Sequence, residues 1–130
     1  MLSLSLPGRV FLCTLPTDMR KSFDSLTGLV HQHLGQDPLT GDLFVFRSKR
    51  GDRLKLLYWD SDGLAIWYKR LEEGTFVFPT PDEQRAKVGT HGLLIRPAEL
   101  AMLLDGIDLA GAKRRKRYQR PAAAAPVPIP

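Results

Sequence analysis

Apolar residues recur along the chain with two periods, and the switches between them lay out the elements. Residues 9–13, RVFLC, form a short apolar run after Pro7-Gly8 and before Thr14-Leu15-Pro16, which reads as a strand. Met19, Phe23, Leu26, Val30 and Leu34 then fall at steps of three and four, the stripe of an amphipathic helix. Thr17 or Asp18 is the expected N-cap, and Gly35 ends the helix. Gly28 lies inside it and costs about 1 kcal/mol against Ala. It marks either close packing or a tolerated defect.

After the turn-rich 36–42, the pattern shortens to period two. Leu43–Arg47 reads as a first strand of the central stretch, Arg53–Asp60 as a second, Leu64–Lys69 as a third and Thr75–Phe78 as a fourth. Ser48–Asp52, Ser61-Asp62-Gly63 and Leu71–Gly74 turn the chain between them. Asp-Gly is a favoured hairpin pair, and connections this short force antiparallel neighbours. Residues 79–92 read as a loop, and Gly92–Ile95 as a possible added strand. Pro97 opens a helix with Glu99 in its first turn, both favourable there, and Gly106 closes it. The expected fold is α+β: a four- to five-stranded antiparallel meander, the first helix on one face, and a short C-terminal helix. No internal repeat appears.

Within the meander, Leu57, Trp59 and Trp67 read as one face carrying more apolar surface than water tolerates without a reason. These three, with Arg20 and Lys21 at the first helix, are the candidate partner-binding residues.

Charge divides the chain. Thirteen of the 19 Lys+Arg and all 14 Asp+Glu lie in residues 1–109. Residues 110–130 hold Lys113, Arg114, Arg115, Lys116, Arg117 and Arg120 with no acid, followed by PAAAAPVPIP. Residues 1–109 read as one domain and 110–130 as a disordered basic, Pro/Ala-rich tail. A cationic tail on a near-neutral body points to an anionic partner, most often nucleic acid. A second cationic cluster, Arg47, Lys49, Arg50, Arg53 and Lys55 around Asp52, sits at a hairpin tip. It reads as a phosphate-binding β-ribbon, or more plainly as a solvated tip that discourages edge aggregation. The tail cations have the same two readings, phosphate contact or solubility.

Other chemistry finds little support. Cys13 is the single cysteine, so no internal disulfide is available. Asp60-Ser61-Asp62-Gly63 begins like a calcium loop, but the twelfth position is Leu71 rather than Glu, and a hairpin turn explains it. His31 and His33 point to different helix faces, and His91 stands alone. Asp24, Asp60, Asp62, Glu72 and Glu73 fall at turns and helix starts, where they serve local structure. No nucleophile, P-loop or metal-ligand motif is present. We therefore expect no catalytic residues, no metal and no cofactor. No apolar run approaches the roughly 20 residues of a membrane span, and the expected location is the cytoplasm.

Three segments together carry a resemblance: PTDMRKSFD at 16–24, LFVFRSKRGDRLKLLYWDSDGLAIWYKRLEEGTF at 43–76, and PAELAMLLDGID at 97–108. They are long, in order and aromatic-rich. The chain resembles the TnpB accessory proteins encoded by the second open reading frame of bacterial insertion sequences of the IS-sixty-six type. The resemblance spans about residues 7–108. It implies a non-catalytic role in transposition beside a separate, larger transposase, with that transposase and DNA at the element ends as partners. A scaffold that docks the transposase without touching DNA is the alternative. The long RNA-guided nuclease that shares the TnpB name has a core far larger than this chain.

Overall fold

A computed structural model describes residues 8–79, 85–108, 113–114 and 118–119; for 107–108 and 113–114 only the backbone is described. The fold is α+β. Its centre is a six-stranded mixed sheet: β1 (Val10–Cys13), β2 (Leu43–Arg47), β3 (Arg53–Asp60), β4 (Gly63–Arg70), β5 (Lys87–Val88) and β6 (Gly92–Ile95), in the spatial order β4-β3-β2-β1-β6-β5. The helices are α1 (Phe23–Leu29) and α2 (Pro97–Leu104). A separate backbone pairing joins β7 (Ile107–Asp108) to β8 (Lys113–Arg114).

The meander holds for β2, β3 and β4, which pair antiparallel in sequence order. It fails on either side of them. β1 pairs parallel with β2, Val10 opposite Leu43, because residues 14–42 form a crossover through α1, long enough to return the chain in the same direction. β1 also pairs antiparallel with β6, so it lies inside the sheet. The expected fourth strand at Thr75–Phe78 is absent. There the backbone bonds to the β2–β3 turn instead, Phe76 N–H donating to the Gly51 carbonyl at 2.8 Å. The loop expected over 79–92 contains a strand, since Lys87–Val88 pairs with Gly92–Leu93. Gly89 makes that hairpin possible. Its φ is +61°, and a Cβ there would collide with the carbonyl of His33.

Two apolar layers flank the sheet. On one side α1 covers Phe11, Phe44, Phe46 and Leu57, with Leu26, Val30 and Leu34 packed on them. On the other, Leu100 and Leu103 of α2 join Phe76 and Phe78 over Val10, Leu12, Val45, Leu54 and Leu56. Burial on both faces explains why β1 and β2 read as unbroken apolar runs rather than alternating ones.

The first helix starts later than its apolar stripe predicts. Ser22 is the N-cap, its amide donating to Ser25 Oγ at 2.9 Å. Asp18 instead closes a turn of its own, accepting from the Arg20 amide at 2.9 Å. From Val30 to Leu34 the helix widens to a π turn, and Gly35 ends it with φ +60°. The His33 carbonyl, released from the regular helix pattern, accepts from the amides of Thr90 and His91 at 3.0 and 3.1 Å. Gly28 has no neighbour within 4 Å of where a Cβ would stand, so close packing does not account for it.

Candidate nucleic-acid interface

The tip between β2 and β3 is a rigid turn. Gly51 N–H donates to the Ser48 carbonyl at 3.0 Å, and Gly51 takes φ +80°. Ser48 is buried; its hydroxyl accepts from Arg53 N–H at 3.1 Å and meets Asp52 Oδ1 at 3.3 Å. The Asp52 carbonyl accepts from Leu71 N–H at 2.7 Å. With its ends fixed, the turn holds Lys49 and Arg50 out into solvent.

A second segment lies beside this tip. Thr17 N–H donates to the Arg47 carbonyl at 2.9 Å, and Thr17 itself is 4 % exposed. Lys55, in the middle of β3, then reaches under the segment. Its ammonium donates to the carbonyls of Met19 and Lys21 at 2.8 and 2.7 Å and sits 4.8 Å from the centre of the Tyr68 ring. Pro16–Arg20 and Ser48–Arg53, with Tyr68 of β4, thereby enclose an open cleft of about 560 Å3. Arg20, Lys49, Arg50 and Arg53 give it four cations against the carboxylates of Asp18 and Asp52.

These charges differ in how tightly they are held. Asp18 and Arg20 form a 2.7 Å ion pair. The Arg20 side chain and then its amide, both donating to Asp18, hold that carboxyl down to about 2. The Arg20 side chain is 92 % exposed all the same. Arg53 donates to the Tyr68 hydroxyl at 3.3 Å beside the cleft. Tyr68 is 47 % exposed.

Two of the five cations expected at the tip are not available to a phosphate. Lys55 is 7 % exposed, with its ammonium committed to backbone carbonyls. Arg47 points to the opposite face of the sheet, since it pairs with Leu54 and strand alternation separates it from Arg53 and Lys55. Its guanidinium donates to the Phe76 carbonyl at 2.9 Å and lies 4.1 Å over the Phe78 ring, and burial pushes its pKa down. The tip cations are therefore Lys49, Arg50 and Arg53. Arg20, expected at a partner contact, joins them, while the Lys21 carbonyl serves as an acceptor for Lys55.

The apolar face expected from Leu57, Trp59 and Trp67 does not exist as one surface. The β3–β4 register places Leu56 opposite Trp67 and Trp59 opposite Leu64. Trp67 therefore packs on the α2 side, whereas Leu57 is fully buried on the α1 side. Trp59 is half-buried. Of the tail cations, Lys113 and Arg114 are described only as backbone paired with β7. Arg115, Lys116, Arg117 and Arg120 lie outside the described residues, as does most of the segment expected to be disordered.

A second cleft, about 590 Å3, lies at the start of α2. Its cations are matched internally. Arg85 and Arg96 meet Glu99 at 2.8 and 3.5 Å, and Arg9 meets Asp42 at 3.1 Å. The Arg85 guanidinium lowers the Glu99 carboxyl, outweighing the opposing effect of burial. Burial pushes the Asp42 carboxyl up, but the Arg9 amide and guanidinium with the Thr40 hydroxyl hold it below its ordinary range. Cys13 is buried, which raises its thiol pKa and keeps it unreactive. Among the described residues no three His, Cys, Asp or Glu side chains converge as a metal site, and no helix is long and apolar enough to cross a membrane. His33 and His91 meet edge to face at 5.2 Å, a proximity their sequence positions did not announce.

Comparison with known proteins is consistent with the three segments above. A family model described as IS66 Orf2 like protein matches residues 8–114. Protein y4jC of Sinorhizobium fredii is 39 % identical over 117 residues, covering 90 % of this chain and 93 % of the relative. Protein y4hO of the same organism is 43 % identical over 100 residues, covering 77 % of this chain and 81 % of the relative. Neither name specifies an activity. No solved structure is significantly similar. The chain belongs to the IS66 Orf2-like family of insertion-sequence-associated proteins.

Proposed function

We propose that this protein is a non-catalytic accessory factor in transposition, and that it works by holding DNA of the element in the cleft between Pro16–Arg20 and the β2–β3 tip. The observation that carries the reading is the convergence of Arg20, Lys49, Arg50 and Arg53 on one cleft from two segments far apart in sequence. Three of these four cations lie at a rigid turn or on a strand, so their backbone positions are set before binding and only the exposed side chains are ordered by it. Phosphate contacts of this kind supply position and affinity without base specificity. In the proposed complex, sequence choice falls to the separate transposase. The basic tail adds a second, diffuse attraction to the same polyanion.

The test is a transposition assay that supplies the transposase and this protein together. Reversing the cleft charges with Lys49→Glu and Arg50→Glu should abolish the stimulation given by the wild-type protein, while the variant stays folded and still co-purifies with the transposase. Full stimulation by the charge-reversed protein would refute the reading. Loss of co-purification together with activity would favour a scaffold that docks the transposase without contacting DNA.

A further inference from the structure

The cleft contains an element that duplex binding does not need. Tyr68 lines the cleft beside Arg53 and is 47 % exposed. Two cations contact the ring. Arg53 Nη1 donates to its hydroxyl at 3.3 Å, and the Lys55 ammonium lies 4.8 Å from its centre on one face. Lys55 is itself fixed by the carbonyls of Met19 and Lys21. About half of Tyr68 remains exposed, and it lines the cleft.

An exposed aromatic ring in a cationic cleft, here with Lys55 over one face and Arg53 at the hydroxyl, is the arrangement by which proteins stack an unpaired base while tracking its phosphates. A duplex keeps its bases stacked on each other and offers such a ring only sugar and phosphate. The volume, about 560 Å3, falls within the range of sites that enclose a small-molecule-sized group, roughly 300–1,000 Å3. From this geometry we infer that the cleft is a site for single-stranded DNA, in which Tyr68 stacks one unpaired base and Arg20, Lys49, Arg50 and Arg53 take the flanking phosphates. This rests on the cleft being the DNA site and adds which form of DNA it selects.

The experiment is fluorescence anisotropy with the full-length protein, a labelled oligo(dT) of about 12 nucleotides, the size one such platform covers, and a duplex of equal length. Wild type should bind the single strand more tightly than the duplex. Tyr68→Leu should weaken the single strand by about 5- to 150-fold, the usual effect of removing one base stack, and barely change the duplex. Tyr68→Phe keeps the ring and loses the Arg53 bond to the hydroxyl, so it should bind the single strand far more tightly than Tyr68→Leu. Should Tyr68→Leu fail to fold, photocrosslinking of wild type to a bromodeoxyuridine-substituted oligonucleotide should map to Tyr68. Equal or tighter duplex binding, an unchanged single-strand affinity in Tyr68→Leu, or a crosslink mapping away from the cleft would overturn the inference while leaving DNA binding in place. Tighter binding of oligo(U) than oligo(dT) would overturn the assignment to DNA. Failure to bind either form of DNA would overturn both readings.

Discussion

Gly28 sits one residue before the end of α1, where the helix passes into the π turn, with open space where a side chain would project. Nothing in the fold requires glycine there, so Gly28→Ala should stabilise the protein by about 0.5–1 kcal/mol through helix propensity and a less flexible unfolded chain. A chemical-denaturation midpoint shifted upward would show this; a downward shift would mean an unseen contact. Asp42 and Glu99 make a separate residue-scale prediction. Both carboxyls titrate below their ordinary values in the fold. A depressed folded pKa contributes stability that is present above the unfolded pKa and lost as pH falls through the folded one. Thermal stability should therefore be level near neutral pH and fall below about pH 4.5. Glu99→Gln should flatten part of that fall, and an unchanged acid limb would contradict the ion-pair assignment.

At the scale of elements, Lys55 does most to build the site. It ties the Pro16–Lys21 segment to β3 through two backbone carbonyls, and the cleft exists because those two pieces are held together. Lys55→Met keeps the length and removes the bonds. It should cost about 2–3 kcal/mol, as expected for buried bonds to a charged donor. It should also lower hydrogen-exchange protection at the Thr17 amide, which bonds to Arg47 in wild type. Undiminished protection would show that the segment stays docked without the lysine. Much of this level was legible in the sequence. Period-two alternation located β3 and β4, and Pro97 with Glu99 located α2. The side assignments were less legible. Trp67 joins the α2 layer because an antiparallel register, set by the Asp60–Gly63 turn, places it opposite Leu56. Lys55 looked like one more surface cation because alternation states that it shares a face with Leu57 but not that a backbone segment lies over it.

For the whole molecule, the parallel pairing of β1 with β2 decides the layout. It sends the chain through Pro16–Lys21 beside the β2–β3 tip before α1 begins, and so brings PTDMR next to SKRGDR. Sequence distance hides such a neighbourhood, since residues this far apart meet only through sheet order. The resemblance to insertion-sequence proteins was legible because it rests on contiguous segments; the cleft was not, because it joins two of them. Charge was legible in total and misleading in detail. Arg47 and Lys55 count toward a basic tip in the sequence, yet the fold uses both internally.

If Arg20, Lys49, Arg50 and Arg53 act together on DNA phosphates, the salt dependence of binding reports it. Affinity for single-stranded DNA should be measured across a series of salt concentrations for wild type and for the Lys49→Ala, Arg50→Ala double variant. Removing one cation from a phosphate should reduce the slope of log affinity against log salt by about 0.7. The slope in the double variant should be shallower by about 1.4, with affinity reduced at every salt concentration. An identical slope in the two proteins would place the DNA-binding surface away from this cleft.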